Sequence, residues 1–301
     1  MRLVVALGGN ALLRRGEVPA AEIQQHHVDD AVAALAVVAA HNDVVVTHGN
    51  GPQVGLLAVE SAADASLPKP YPFDVLGAQT QGMIGYWLLQ ALENALPGRQ
   101  VASLINQTLV EGSDPAFGAP TKFVGQVLSE REAADAVARL GWEVRQDGDS
   151  RRRVVPSPEP VEVLELATIR ALLESGAVVV CAGGGGIPVL RDSTGRLRGA
   201  EAVIDKDLSA ALIATKLGAD ALMLLTDVAS VVMGFGTPDA RPMRGVTVAQ
   251  LRSLDFAAGS MGPKVEAACR FVESTGNPAM IGSLEQAGEL LEGTAGTIVT
   301  K

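Results

Sequence analysis

Short apolar runs ending near glycine recur along the chain, each just ahead of a longer alanine-rich stretch whose apolar residues fall at helical spacing. Residues 3–7, 44–47, 178–182 and 221–225 are the clearest strands of this pattern. Residues 21–40, 74–96, 169–175, 208–217 and 263–275 are the clearest helices, with few breakers among them. Continuously apolar strands, each leading toward a helix, are what a parallel sheet covered on both sides requires. The pattern predicts an α/β fold with helices on both faces.

One region departs from this rhythm. Between Glu111 and Pro160 the chain gains Asp114-Pro115, Ala119-Pro120, Asp147-Gly148-Asp149, three consecutive arginines from Arg151 to Arg153, and Pro156, Pro158 and Pro160. It reads as an excursion from the main sheet. Within it Ser129 and Glu132 have the spacing of a capping box, which predicts a helix over 129–140 and makes the insert a small ordered subdomain. Residues 191–200 suggest a hairpin and 241–245 a shorter break, and no internal repeat is visible.

Three glycine-rich segments follow predicted strands: Gly8-Gly9-Asn10, Gly49-Asn50-Gly51, and Gly183-Gly184-Gly185-Gly186. Glycine lets a backbone approach a ligand closely or adopt positive φ, and a helix that follows offers free amide groups to an anion. Asn10 and Asn50 can add side-chain donors. Any one of these segments is adequately explained as a tight turn, but three together favour a shared anionic guest, with phosphate the natural one. None matches the Walker lysine loop or the spaced dinucleotide fingerprint, which disfavours a P-loop kinase or a Rossmann dehydrogenase.

Composition narrows the picture. A chain of 301 residues with 48% hydrophobic content can close its core without disulfides or metals, as one large domain or two lobes. Its net charge of −10 is opposite to that of a typical nucleic-acid binder. The longest wholly apolar stretch, residues 31–40, falls far short of the roughly 20 residues of a membrane span, and no cleavable signal is visible. Cys181 and Cys269 lie in apolar runs without paired spacing, and are expected to be reduced core thiols of a cytoplasmic protein.

The chain carries eighteen arginines and only six lysines, so each lysine invites explanation. Lys122 follows Pro120-Thr121, Lys206 sits between Asp205 and Asp207, and Lys264 follows Met261-Gly262-Pro263, all turn-like or helix-start positions. A compact ammonium there serves as a point charge on phosphate, although a solvated surface cation is the ordinary state of a lysine. Asp207 can orient an ammonium, and Asp205 or Asp227 can contact ribose or Mg²⁺; each aspartate serves equally well as a helix cap. His48 has no metal-binding partner nearby in sequence and is expected to be structural or adjacent to substrate.

These residues bring out a resemblance. Residues 5–12, 47–54, 82–87, 114–117 with 120–122, 152–158, 183–189, 201–207 and 259–268 together resemble the carbamate kinases, a branch of the amino-acid kinase family, over nearly the whole chain. The glutamine-glycine-methionine helix, Pro120-Thr121-Lys122 and the 152–158 return are the most specific of these segments. The chain departs from the family pattern at Phe123, where proline is usual, over Gln126-Val127-Leu128, and at Ser230-Val231-Val232, which lacks a tyrosine.

The resemblance implies an open αβα sandwich with a central, mainly parallel eight-stranded sheet and a small protruding lid, in a single kinase domain that forms a homodimer. Its N-terminal lobe, about 1–175 with the lid at about 111–153, would hold carbamate. Its C-terminal lobe, about 176–301, would hold ATP or ADP with Mg²⁺. Lys206 and Lys264 fall on the family's phosphate-neutralising lysines, Asp207 on its organising aspartate, and Lys122 on its lid lysine. Gly8, Gly9, Asn10, Gly49, Asn50 and Gly51 fall on its phosphate and carbamate loops, with Gly183, Gly184, Asp205, Asp227, Met261 and Gly262 toward the nucleotide. The implied reaction is reversible phosphoryl transfer between carbamoyl phosphate and ADP. The alternatives are another kinase of the family or a catalytically silent nucleotide-binding homologue.

Overall fold

The structure, a computed structural model, describes residues 1–14, 16–256 and 261–301, apart from the side chains of Asn10 and Gln126. At its centre is an eight-stranded sheet of β1 (Arg2–Leu7), β2 (Asp43–His48), β3 (Val101–Ser103), β4 (Val178–Val180), β5 (Ala221–Thr226), β6 (Gly245–Thr247), β7 (Ala279–Ser283) and β8 (Thr297–Thr300). The spatial order is β6-β8-β7-β5-β1-β2-β4-β3, with every neighbouring pair parallel except β7 and β8.

Alternation along β1 builds two cores. Leu3, Val5 and Leu7 pack with Leu35 of α1 (Ala21–Ala39), Leu88 of α3 (Phe73–Ala95) and Leu290 of α9 (Ala287–Leu291). Val4 and Ala6 point the other way, to Leu173 of α5 (Leu166–Glu174), Ile213 of α6 (Lys206–Leu217) and Phe271 of α8 (Met261–Thr275). Helices therefore cover both faces, as the apolar pattern predicts.

The predicted helices form with small shifts at their ends. Helix α6 begins two residues early because the carboxylate of Asp205 accepts the amide hydrogens of Asp207 and Leu208. Helix α2 (Gly51–Ala63) is not among the predicted helices, since Gly51, Pro52 and Gly55 read as breakers. Proline at the start of a helix loses no hydrogen bond, so Pro52 is harmless there. Only the Gly49 turn runs straight into an α-helix. The first turn passes through a short 3₁₀ turn, Gly9–Ala11, and the third through Gly183–Gly185 into a strand, Ile187–Arg191.

That strand pairs antiparallel with Leu197–Gly199, the hairpin expected near residues 191–200, and parallel with Gln107–Leu109. Near residues 241–245 a two-stranded ribbon, Val231–Met233 against Arg241–Met243, precedes β6. The insert is a three-stranded antiparallel sheet of Lys122–Leu128, Val144–Asp147 and Ser150–Val155, carrying α4 (Glu130–Leu140), whose Ser129–Glu132 capping box forms. Its first strand crosses α2 with Gly125 against Gly55: a Cβ on Gly55 would lie 1.8 Å from the Gly125 Cα. Cys181 and Cys269 are buried free thiols. Among the described residues no helix is long and apolar enough to cross a membrane.

Candidate active site

Because β1, β2 and β5 are parallel, their C-terminal ends share one edge, where open α/β sheets bind ligands. The Gly8 amide donates to the Leu225 carbonyl at 3.0 Å and the Gly49 amide to that of Leu7 at 3.1 Å, which draws the first two turns together. A Cβ on Gly49 would come within 2.9 Å of the Gly9 backbone and 3.4 Å of the Lys206 side chain, so glycine is required by close approach rather than by φ. Helix α2 starts here without a side-chain cap. Asn50, which could have capped it, instead donates Nδ2 to Thr80 Oγ1 at 2.8 Å. The first amide groups of α2 are thus left to attract an anion. The Asn10 side chain lies outside the described part.

The third turn needs its glycines for a different reason. Gly184, Gly185 and Gly186 all have positive φ, and Ala182 has φ 52°. Gly183 lies against the His48 ring and Gly184 against the Asn50 side chain, which puts this turn beside the second one. Buried polar groups hold it: Gln81 Nε2 donates to the Gly183 carbonyl at 3.1 Å, and the hydroxyls of Thr108 and Ser209 donate to that of Gly185 at 2.9 and 2.8 Å. Asn106 Oδ1 accepts from the Ala182 amide at 2.6 Å. Reading the sequence did not single out Thr80, Asn106, Thr108 or Ser209; Gln81 belongs to the glutamine-glycine-methionine segment. Burial pushes the His48 imidazole down to about 4, so it is neutral, and its Nδ1 lies 3.0 Å from the Gly49 carbonyl.

The charged groups gather at the start of α6. Asp207 is shared, with Oδ1 accepting from Lys206 Nζ at 2.5 Å and Oδ2 from Lys264 Nζ at 3.1 Å. All three side chains are buried or nearly so. Burial lowers Lys206 to about 8, with the neighbouring Lys264 charge adding to the effect and Asp207 opposing it. For Lys264 burial acts downward too, but attraction to Asp207 outweighs it and the net shift is upward. Burial pushes Asp207 up, and the two ammonium groups more than reverse this, holding it ionised.

Lys122 reaches this cluster from the insert, 83 residues from its partner in the chain, and pairs with Asp205 Oδ2 at 2.5 Å. Three ammonium groups thus face two carboxylates, leaving a positive surplus suited to an anion. Asp227 is exposed just beyond the end of β5. Met261 and Gly262 open α8, the helix that carries Lys264. Gly259 and Ser260, the start of that motif, lie outside the described residues.

Comparison with known proteins agrees with this geometry. A match to the Amino acid kinase family spans residues 1–283. The chain belongs to that family. Relatives within the amino acid kinases include the carbamate kinase of Rhizobium meliloti, 49% identical with 100% of this chain and 93% of the relative covered. That of Haemophilus influenzae is 48% identical, with 100% and 97% covered. Among solved structures, carbamate kinase from Giardia lamblia bound to AMP-PNP superposes with a TM-score of 0.90 at 39% identity, covering 100% of this chain and 98% of that one.

Proposed function

We propose that this kinase transfers a phosphoryl group reversibly between carbamoyl phosphate and ADP, giving ATP and carbamate, which breaks down to ammonia and bicarbonate. The observation that carries the reading is the meeting of Lys122, Lys206 and Lys264 around Asp205 and Asp207 at the start of α6, with Lys206 against the Gly49 turn that leads into the uncapped start of α2. The names of the relatives support the same substrate.

Carbamate is already an anion at neutral pH, so its attack needs no general base. The site has instead to hold two anions in line and neutralise charge on the phosphoryl in flight. Lys206 and Lys264 are fixed by Asp207 before substrate arrives, so they stabilise the transition state without reorganising. Backbone amides of the Gly8-Gly9 and Gly49-Asn50-Gly51 turns and of the α2 N-terminus would take the phosphate oxygens. Asp227, Met261, Gly262 and the Gly183-Gly184 turn are assigned to the nucleotide side or its support. Buried neutral His48 is assigned no proton transfer.

Among the described residues no group of three or more Asp, Glu, His or Cys side chains can cage a metal. The donor set fits a Mg²⁺ that arrives on the nucleotide phosphates, assisted by one or two carboxylates. Such an ion would supply charge neutralisation on the β- and γ-phosphates. The insert acts as a lid over a very small substrate, closing to add contacts and exclude water. A homodimer, as the resemblance implies, belongs to the same reading.

The test is ATP formation from ADP with carbamoyl phosphate, run beside acetyl phosphate and acetylglutamyl phosphate. Preference for carbamoyl phosphate is expected; preference for either rival would reassign the substrate within the family.

A further inference from the structure

The five residues before α6 form the seat of the insert. Alternate side chains and amides along it each hold one of the insert's two root strands. Glu201 Oε1 lies 3.9 Å from Arg153, the Val203 amide donates to the Pro156 carbonyl at 3.0 Å, and Asp205 Oδ2 holds Lys122 at 2.5 Å. Lys122 and Val155 are themselves paired across the insert's sheet, so the three contacts grip a single ribbon. Arg153 is clamped further, its guanidinium 4.5 Å from the Phe73 ring and 4.2 Å from that of Trp142. The Phe73 amide donates to the other oxygen of Glu201 at 2.9 Å.

Asp205 differs from the other rungs because its two oxygens join the insert to α6 itself. Oδ1 caps α6 through the amides of Asp207 at 2.9 Å and Leu208 at 3.3 Å, and Oδ2 takes the lid lysine. A carboxylate fixed to the helix by one oxygen fixes whatever the other one holds. We propose that Asp205 is a positioning residue that registers Lys122 against Lys206 and Lys264, and so couples the seating of the lid to the helix that carries the catalytic charge. The kinetic part of this rests on the carbamate kinase reading. An ammonium has three donors, so Lys122 can keep Asp205 and still offer hydrogen to a phosphoryl oxygen. Burial raises the Asp205 carboxyl, but Lys122 and Lys206 overcome it and hold the group well below the usual carboxylate range, so the tie persists throughout the neutral region.

Asp205→Asn separates the two duties, because asparagine caps a helix as well as aspartate does but carries no charge. The expected result is a rise of roughly tenfold in KM for carbamoyl phosphate with KM for ADP within about twofold, the cost of loosening one partly exposed charge-assisted contact. Amide exchange should quicken over Lys122–Leu128 and Ser150–Val155 and stay unchanged over Lys206–Leu217. Adding Asp205→Asn to Lys122→Ala should leave KM where Lys122→Ala alone puts it, since coupled residues are not additive. Lys122→Gln breaks the same pair from the lid side and should quicken the same two strands, which guards against a folding defect in the Asp205 variant. A rise in KM for ADP, effects that multiply in the double variant, or unchanged exchange in the insert would each overturn the proposal. If the unaltered protein made no ATP from carbamoyl phosphate and ADP, the substrate reading would fall while the exchange measurements still decided the tie.

Discussion

In β1 every residue from Leu3 to Leu7 is fully buried, whereas the insert's strand Ser150–Val155 buries only Val154 and Val155 and leaves its three arginines partly exposed. The body is held by apolar burial on both sides of a sheet. The insert is held by a much smaller apolar cluster, Val124 and Val155 against Val54, Phe73 and Val203, together with a Gly55–Gly125 crossing, the Arg153 clamp and the contacts to residues 201–205. The lysines follow the same division. Lys206 and Lys264 sit almost buried and anchored by Asp207, while the Lys122 side chain is 33% exposed on a separate small sheet. Under the proposed function, a site divided in this way would keep two charges fixed in the dense part and let the lighter part admit the substrate.

The sharpest way to break this comparison is to remove charge from each side. Lys206→Ala and Lys264→Ala should each lower kcat by roughly a hundred- to a thousandfold, about 2.7–4 kcal/mol, with a much smaller effect on nucleotide binding. Calorimetric binding of nucleotide beside steady-state rates checks this, and near-normal turnover in both variants would remove the two lysines from catalysis. Lys122→Ala should act on substrate capture instead: KM for carbamoyl phosphate should rise by roughly ten- to a hundredfold, about 1.5–3 kcal/mol for a bond to a charged group, while that for ADP stays within a few-fold. Equal changes in both constants, or none, would mean that the insert is no substrate clamp.

Proton titration offers a finer cut. The working form of Lys206 is the ammonium, and burial brings its loss down to about pH 8. The profile of kcat/KM should therefore fall on the alkaline side of that value, toward about tenfold per unit, since this parameter reports groups of the free enzyme. Asp205 and Asp207 are held below the ordinary range and give no acid limb of their own near neutrality. Lys206→Arg should lose the alkaline limb because guanidinium does not titrate there, and should remain slower than the unaltered enzyme because a planar fork misfits a point-charge position.

The smallest expected effect comes from the seat itself. Gly55→Ala places a Cβ where the Gly125 backbone stands, so the insert has to lift or α2 has to shift. Overpacking of this kind costs about 1–3 kcal/mol, measurable by urea unfolding. The loss should appear together with faster amide exchange in Lys122–Leu128, leaving β1 and β2 protected. Uniform loosening of the whole chain would show that body and insert form one cooperative unit.

Much of the body could be read from the apolar pattern, since continuous burial on both faces leaves strands such as β1 and helices such as α1 few alternatives. What escaped was short or locally contradictory. Strands β3 and β6 have three residues each and lack the continuous apolar run, residues 178–182, that marked the equally short β4, and α2 contains the glycine and proline that ordinarily end a helix. The lysines stood out by rarity and by their neighbours, and the glycine turns by repetition. The polar shell of Thr80, Asn106, Thr108 and Ser209 gave no such signal, because each side chain acts on a turn 24 to 77 residues away or through a partner 30 residues away in the chain.

By itself, then, the sequence determined which segments must be buried, where the backbone needs glycine, and which ammonium groups are available for an anion, because burial periodicity and residue chemistry are local properties. Tertiary structure alone decided that Gly9 touches Gly49, that Asp207 is divided between Lys206 and Lys264, and that Asp205 caps a helix with one oxygen while holding Lys122 of the insert with the other. Asp205 and Asp207 are both flanking aspartates of Lys206 with equal capping and pairing capacity. Their separate duties follow from the direction in which α6 begins and from where the insert returns, and both are set by contacts between distant parts of the chain.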